Sequence, residues 1–141
     1  MTSLEHERPG AWTLLYDLDC GFCRWSLSLL LALDRRRRLT PVALGSPAAD
    51  ELLADMAPEE RVASWHLVSP DGRRTSAGAA AAPLFRLLPG GSVPAALFAS
   101  APGLTERAYR WVADHRSTLS RAVPPAAKRR ASERIARRAR S

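Results

Sequence analysis

The sequence predicts an α/β fold with an added helical segment toward its C-terminal end. Two observations lead to this prediction. Short apolar runs typical of buried strands alternate with helical patterns over residues 12–92, and a proline-aspartate-glycine turn between two short strand patterns indicates a β-hairpin. With 141 residues, the chain has the length of one ordinary domain and a tail.

The first predicted unit is a strand, a helix and a second strand. Residues 12–16 (WTLLY) are a short apolar run typical of a buried strand. Gly21 gives the backbone freedom for a turn. The almost entirely apolar run that follows predicts a helix from Cys20 or Gly21 to Asp34, which the rest of the domain must cover. Residues 39–44 predict the second strand, in which Pro41 indicates the edge of a sheet.

The later elements are predicted from cap and turn residues. A serine followed by proline has the form of a helix N-cap with proline in the first helical position. The predicted elements are a helix over 47–56, hairpin strands over 65–69 and 73–76, and a helix over 79–88. A strand-helix-strand unit followed by a hairpin and a helix, β-α-β-α-β-β-α, is the order of elements in a thioredoxin-like fold.

Two segments follow the predicted domain. Residues 93–123 carry apolar residues at helical spacing and predict one long helix packed on the body. Residues 124–141 are expected to be a flexible tail, either frayed helix or disorder, since Ile135 is almost their only bulky apolar residue. From Arg121 onward there are eight basic residues and one acidic residue, so the net charge of +7 belongs to the C-terminal end and the body is neutral.

The N-terminal extension, residues 1–11, contains acidic residues and no apolar run, which argues against a signal peptide. The longest apolar stretch, residues 25–33, falls short of the roughly 20 residues that a membrane span needs. These observations predict a cytoplasmic protein without a transmembrane segment.

Cys20 and Cys23 are the two cysteines of the chain, and they form a C-x-x-C pair between a predicted strand and a predicted helix. Disulfide exchange needs a thiolate that attacks and a second thiol that resolves the mixed disulfide. The free amides at a helix N-terminus stabilise a thiolate on the first cysteine. Cys20 is therefore predicted to be the nucleophile and Cys23 the resolving cysteine, without a bound cofactor.

Other interpretations of the pair remain open at this point. A zinc site needs about four ligands, and the chain offers three histidines beside the two cysteines. A permanent structural disulfide is disfavoured by a reducing compartment. Inert thiols and a redox-sensitive regulator that turns nothing over are the remaining alternatives.

Two acidic residues precede the predicted nucleophile. The charges of Asp17 and Asp19 oppose formation of the Cys20 thiolate. Each either moves protons during exchange or accepts hydrogen bonds from loop amides and holds the turn. Gly21 and Phe22, between the cysteines, are expected to line the site.

Basic residues support a second class of function. The four arginines at positions 35–38 either complement the negative end of a helix dipole or bind phosphate. A thioredoxin-like binding module using the basic tail to bind nucleic acid, an anionic surface or an acidic protein is the alternative to an enzyme.

The stretch LLYDLDCGFC, with the apolar helix, basic cluster and short strand after it, resembles the DCC family of predicted thiol-disulfide oxidoreductases. The family is named for a D-x-x-C-x-x-C pattern, here Asp17, Cys20 and Cys23. The segments SAGAAAAPLFRLLPG and AYRWVADHR are similar to its later helices and include matching Tyr109, Arg110 and Arg116. The resemblance implies a thioredoxin-like fold, a dithiol active site, and a disulfide-containing protein or small thiol as partner.

Thioredoxins place a cis-proline before the third strand, opposite the dithiol, where it receives substrate backbone. The corresponding residues 62–65 contain no proline. Ser64 is expected to face the dithiol instead. Trp65 and Trp25 are each either part of the site lining or part of the core.

Overall fold

The computed structural model describes residues 11–140, so the predicted N-terminal extension lies outside the described residues apart from Ala11. Within that range a sheet is formed by β1 (Trp12–Tyr16), β2 (Leu39–Ala43), β3 (His66–Val68) and β4 (Arg74–Ser76).

The strand order in the sheet is β2-β1-β3-β4. β1 and β2 are parallel, whereas β3 is antiparallel to both of its neighbours. The parallel pair joined by a helix and the antiparallel hairpin confirm the predicted thioredoxin-like fold. Pro41 lies in the edge strand β2, as predicted, where its missing N–H costs no ladder hydrogen bond on the open side.

Helices cover the sheet and extend beyond it. Those of the described residues are α1 (Gly21–Leu33), α2 (Pro47–Leu52), α3 (Pro58–Ala63), α4 (Ala81–Arg86), α5 (Ser92–Ser100), α6 (Pro102–Asp114), α7 (Arg116–Ala122) and α8 (Pro125–Arg140). A 3-10 helix, Ala77–Ala80, leads into α4.

Two apolar clusters lie on the two faces of the sheet. Side chains alternate along β1, so that Leu14 and Tyr16 enter the larger cluster and Leu15 the smaller one. The larger cluster contains α1, α4 and Ile135 of α8, and the smaller contains α2. The site described below lies at the carboxyl end of β1, beside the larger cluster.

The helix predicted over 79–88 is observed as the 3-10 helix followed by α4, which ends at Arg86. Two other helix predictions differ more from the structure. The helix predicted over 47–56 ends at Leu52, and a separate helix, α3, begins at Pro58, where the Glu60 carboxylate accepts a hydrogen bond from the Ala57 amide at 3.2 Å. The single long helix predicted over 93–123 is three helices. Pro102 starts a new helix because it has no N–H to continue the previous one.

The second break in this segment is at His115. Its backbone leaves helical geometry there, with φ −107° and ψ 16°. The His115 ring nitrogen Nδ1 lies 2.7 Å from the Trp111 carbonyl oxygen, within the last turn of α6. The periodic spacing of apolar residues continues through this position, so the sequence pattern did not reveal the break.

The prediction of a flexible tail is wrong, because residues 125–140 form α8, which packs along α1. Ala131, Ile135 and Arg138 recur at i, i+4 and i+7 and therefore share one face. Ala131 and Ile135 are buried. The low apolar content of the tail suggests that it cannot fold alone. A narrow apolar stripe is nevertheless enough to hold α8, because it packs against the apolar surface of α1.

Asp34 ties α8 to the end of α1. Its buried carboxylate accepts hydrogen bonds from the amides of Arg38 at 3.0 Å and Leu39 at 2.9 Å. Arg138 Nη1 donates to the same carboxylate at 2.7 Å, and Arg138 Nη2 donates to the Leu31 carbonyl at 3.1 Å. One residue thus joins α1, the start of β2 and the C-terminal helix.

Within residues 11–140, no helix combines the length and the apolar character needed to cross a membrane.

Candidate active site

Cys20 is the N-cap residue of α1, and Cys23 lies in its first turn. The extended backbone of Cys20, with φ −95° and ψ 111°, lets its side chain reach back over the helix start. The Cys20 sulfur accepts a hydrogen bond from the Cys23 amide at 3.2 Å. Both cysteines are free thiols. The predicted position of the pair at the start of a helix is confirmed.

The environment of Cys23 keeps its thiol protonated. Burial, followed by the hydrogen bond with Cys20 and the charge of Cys20, raises the pKa of Cys23 to about 12. A thiolate on Cys23 is therefore a minor species at neutral pH. The two cysteines are chemically unequal, with Cys20 receiving a helix amide and Cys23 holding its proton.

Ser120 of α7 completes the surroundings of Cys20. Its hydroxyl oxygen accepts a hydrogen bond from the Phe22 amide at 2.9 Å and lies 3.9 Å from the Cys20 sulfur. The bond from Phe22 uses one lone pair of the oxygen, so the hydroxyl can donate its own proton to the Cys20 sulfur or accept a hydrogen bond from the Cys20 thiol. A second amide of the first turn is thus linked to Cys20 through Ser120.

Lys128 of α8 crosses the start of α1. A Cβ atom on Gly21 would lie 2.8 Å from Lys128 Cε, so the lysine chain occupies the space that a side chain at Gly21 would need. Lys128, Cys20 and Gly21 line one open groove. The segment predicted to be a flexible tail therefore contributes to the surroundings of the dithiol.

Asp17 holds the loop that leads into the dithiol. Its Oδ1 accepts a hydrogen bond from the Asp19 amide at 3.0 Å, and its backbone carbonyl accepts one from the Cys20 amide at 3.3 Å. Its Oδ2 lies 3.7 Å from Nη1 of Arg116. The charge of Asp17 adds to the increase in the pKa of Cys23, and that of Arg116 opposes it. Asp19 itself is exposed at the mouth of the open groove.

An apolar pocket of about 250 Å³ lies against Cys23, between α1, the start of β3 and α6. The predicted site residues at this pocket are Asp17, Phe22, Cys23, Ser64 and Trp65. The remaining ones, Cys20, Asp19 and Gly21, line the open groove next to it, and Asp17 and Arg116 border both cavities. The structure therefore brings all of the predicted site residues to two adjoining cavities.

Trp65 is positioned by α6. Its amide donates a hydrogen bond to the Tyr109 hydroxyl at 3.0 Å, and the two rings stack with their centroids 5.7 Å apart. Its indole N–H donates to the Ala77 carbonyl at 2.8 Å, and the Ser64 hydroxyl donates to the Trp65 carbonyl at 3.0 Å. Trp25 packs against Phe22 instead, with ring centroids 5.9 Å apart.

The sequence interpretation missed several residues of the site. Tyr109 and Arg116 matched family positions but were not placed at the dithiol. Nothing in the local pattern marks Ser120 or Lys128, because both come to the start of α1 only through the packing of α7 and α8 on that helix.

The described part of the chain holds no group of three or more histidine, cysteine, aspartate or glutamate side chains that could hold a metal ion. The zinc interpretation of the cysteine pair therefore has no ligand set within residues 11–140.

A protein-family model matches most of the chain. The family model described as "DCC1-like thiol-disulfide oxidoreductase" matches residues 14–122, which include the last three residues of β1, the dithiol, the hairpin and α5 to α7. Neither a curated protein nor a solved structure matches the chain.

Proposed function

The chain belongs to the DCC1-like thiol-disulfide oxidoreductase family, and from this premise we propose that it is an enzyme that exchanges disulfides through Cys20 and Cys23. The observation that carries the proposal is the inequality of the two sulfurs. The Cys20 sulfur caps α1 and accepts the Cys23 amide at 3.2 Å, whereas the pKa of Cys23 is raised by burial. These are the properties required of an attacking and a resolving cysteine.

The proposed reaction has two displacement steps. In the first, the Cys20 thiolate attacks one sulfur of a substrate disulfide, the S–S bond breaks, and one substrate thiolate leaves and takes up a proton. In the second, Cys23 loses its proton and attacks the Cys20 sulfur, releasing the second substrate thiol. The dithiol gives up two electrons and two protons and becomes a disulfide, and the substrate disulfide becomes two thiols.

Asp17 is proposed to accept the Cys23 proton in the second step. A thiol with a pKa of about 12 needs a base in order to attack at neutral pH. Asp17 borders the same pocket as Cys23, and its charge acts on that thiol. The hydrogen bond from the Asp19 amide holds the Asp17 carboxylate in place. Asp17 would thus both hold the loop and accept the proton.

The alternative of a binding module with a free basic tail is not proposed, because that tail is α8 and packs on α1. The substrate class fitting the proposal is a disulfide-containing protein or small molecule. A cytoplasmic location stays a prediction from the sequence.

The experiment that tests the proposed roles is a trap of the mixed disulfide. The full chain carrying Cys23→Ser is reduced, mixed with a disulfide, and analysed by mass spectrometry without reductant. A stable adduct on Cys20 is expected, since the resolving thiol is gone. The matched Cys20→Ser variant is expected to form an adduct on Cys23 much more slowly or not at all. Equal adduct formation by both variants would show that the assigned roles are wrong.

A further inference from the structure

The pocket beside Cys23 is large enough for a substrate group. Its volume of about 250 Å³ exceeds the roughly 150 Å³ of a protein cavity that takes up a benzene molecule. Its wall is formed mainly by apolar and aromatic side chains, among them Leu14, Phe22, Leu27 and Val112. Transfer of an apolar group of about the size of a phenyl ring from water into a pocket with this lining is favourable.

The charge at the pocket mouth favours an uncharged group. Asp17 and Arg116 are the charged residues among the lining side chains, and they face each other across 3.7 Å. Their charges are opposite and offset one another. A charged substituent entering the pocket would lose its hydrating water, and it would find no side chain of opposite charge that is not already paired within the pocket lining.

The Trp65 backbone, beside the pocket, is already hydrogen-bonded. The Trp65 amide donates to the Tyr109 hydroxyl at 3.0 Å. The Trp65 carbonyl accepts from the Ser64 hydroxyl at 3.0 Å and from the Ala77 amide at 3.3 Å. A peptide strand that paired with this segment would have to displace Tyr109 and break these bonds. Recognition by strand addition at Trp65 is therefore disfavoured.

From this arrangement we propose that the substrate is a low-molecular-weight disulfide with an uncharged apolar or aromatic substituent, which enters the pocket between α1 and α6. The proposal rests on the proposed function, since it names the substrate class of the same dithiol. The Cys20 thiolate attacks the sulfur that bears the substituent and forms a mixed disulfide with it, while the second half leaves through the open groove as a thiolate and takes up a proton. Cys23 then loses its proton and attacks the Cys20 sulfur, so that the Cys20–Cys23 disulfide forms and the pocket-bound half leaves as a thiol. The dithiol is oxidised and the disulfide is reduced, so atoms and electrons balance.

The test measures single-turnover oxidation of the reduced full chain by four disulfides. These are dibenzyl disulfide, bis(2-hydroxyethyl) disulfide, glutathione disulfide and insulin. Each rate is divided by the rate of the same disulfide with free dithiothreitol in the same solvent, which cancels differences in intrinsic reactivity. The normalised rate for dibenzyl disulfide is expected to exceed that for each of the others by about tenfold or more, because only its substituent buries a ring in the pocket.

Two matched variants locate the preference. Val112→Phe fills the pocket and is expected to reduce the dibenzyl preference to less than about threefold. Val93→Phe makes the same substitution at a residue 71% exposed on α5 and is expected to keep the wild-type preference. The wild-type comparison stands by itself if Val112→Phe does not fold.

The outcomes separate the two claims. Equal normalised rates for all four disulfides, or a preference for insulin, would overturn the substrate class while leaving the dithiol exchange intact. Absence of oxidation of the cysteine pair by every disulfide would overturn the proposed function itself.

Discussion

Arg138 and Asp34 lie 104 residues apart in the sequence and form an ion pair at 2.7 Å, with the Asp34 side chain fully buried and the Arg138 side chain 10% exposed. This pair fastens the C-terminal helix to the end of α1, at the opposite end of α1 from the dithiol. The Arg138 guanidinium offsets the charge of the Asp34 carboxylate, which is buried between the end of α1 and the start of β2.

Arg138→Met is expected to lower the free energy of unfolding by about 3–5 kcal/mol, because it leaves the Asp34 charge buried with only amide partners. Urea denaturation measures the change. Arg137→Met, on the exposed side of the same helix, is the control and should change stability by no more than about 0.5 kcal/mol. Similar small losses in both variants would contradict a clamping role for Arg138.

Alkylation should distinguish the two cysteines. Burial raises the pKa of Cys23 to about 12, so its thiol stays protonated and unreactive near neutral pH, whereas Cys20 is open to the groove. Iodoacetamide at about pH 8 is expected to modify Cys20 in the folded protein and both cysteines after unfolding. Peptide mapping by mass spectrometry gives the site. Modification of Cys23 ahead of Cys20 would be inconsistent with the proposed roles.

Ser120→Ala is expected to slow alkylation of Cys20 about fivefold, which corresponds to loss of one hydrogen bond worth about 1 kcal/mol. The alanine removes both the acceptor for the Phe22 amide and the donor within 3.9 Å of the Cys20 sulfur. Ser120→Thr retains the hydroxyl and should recover most of the rate. An unchanged rate in the alanine variant would exclude Ser120 from the site chemistry.

His66 should make stability depend on pH. It is fully buried in β3, and burial lowers its pKa below the ordinary 6.5. The unfolded chain therefore binds a proton near pH 6.5 that the folded protein does not bind. Stability should fall as the pH drops below 6.5, by at most about 1.4 kcal/mol per pH unit from this residue.

Urea denaturation from about pH 7.5 to about pH 5.5 checks this slope. Asp55 and Asp71 do not contribute to the slope in this pH range, since their pKa values are lowered from the ordinary 3.8. His66→Gln should abolish the slope, whereas the exposed His115→Gln should keep it. A slope that survives in His66→Gln would assign the effect to another group.

The parts of the fold that could be predicted from sequence are those fixed by local signals. The apolar run at residues 12–16, the turn at Asp71-Gly72 and the position of Pro41 each determine an element without reference to distant residues. The position of the dithiol is also predictable from local sequence, because a C-x-x-C pair at a helix start depends only on where that helix begins.

The remainder depends on tertiary packing. Ile135 stabilises a helix only because it packs into the apolar cluster that includes Leu27 and Leu31 of α1. Ser120 reaches Cys20 only after α7 packs on α1. Ala131, Ile135 and Arg138 lie at helical spacing, but the high charge and low apolar content of the segment favour disorder when composition alone is considered.

The reduction potential of the Cys20–Cys23 pair tests the central proposal most directly. The full chain is equilibrated in redox buffers, and the oxidised fraction is read by mass spectrometry after alkylation. The account predicts a reversible two-electron transition between about −120 and −300 mV, the range of thioredoxin-like oxidoreductases. A pair that shows no reversible oxidation across that range would contradict it.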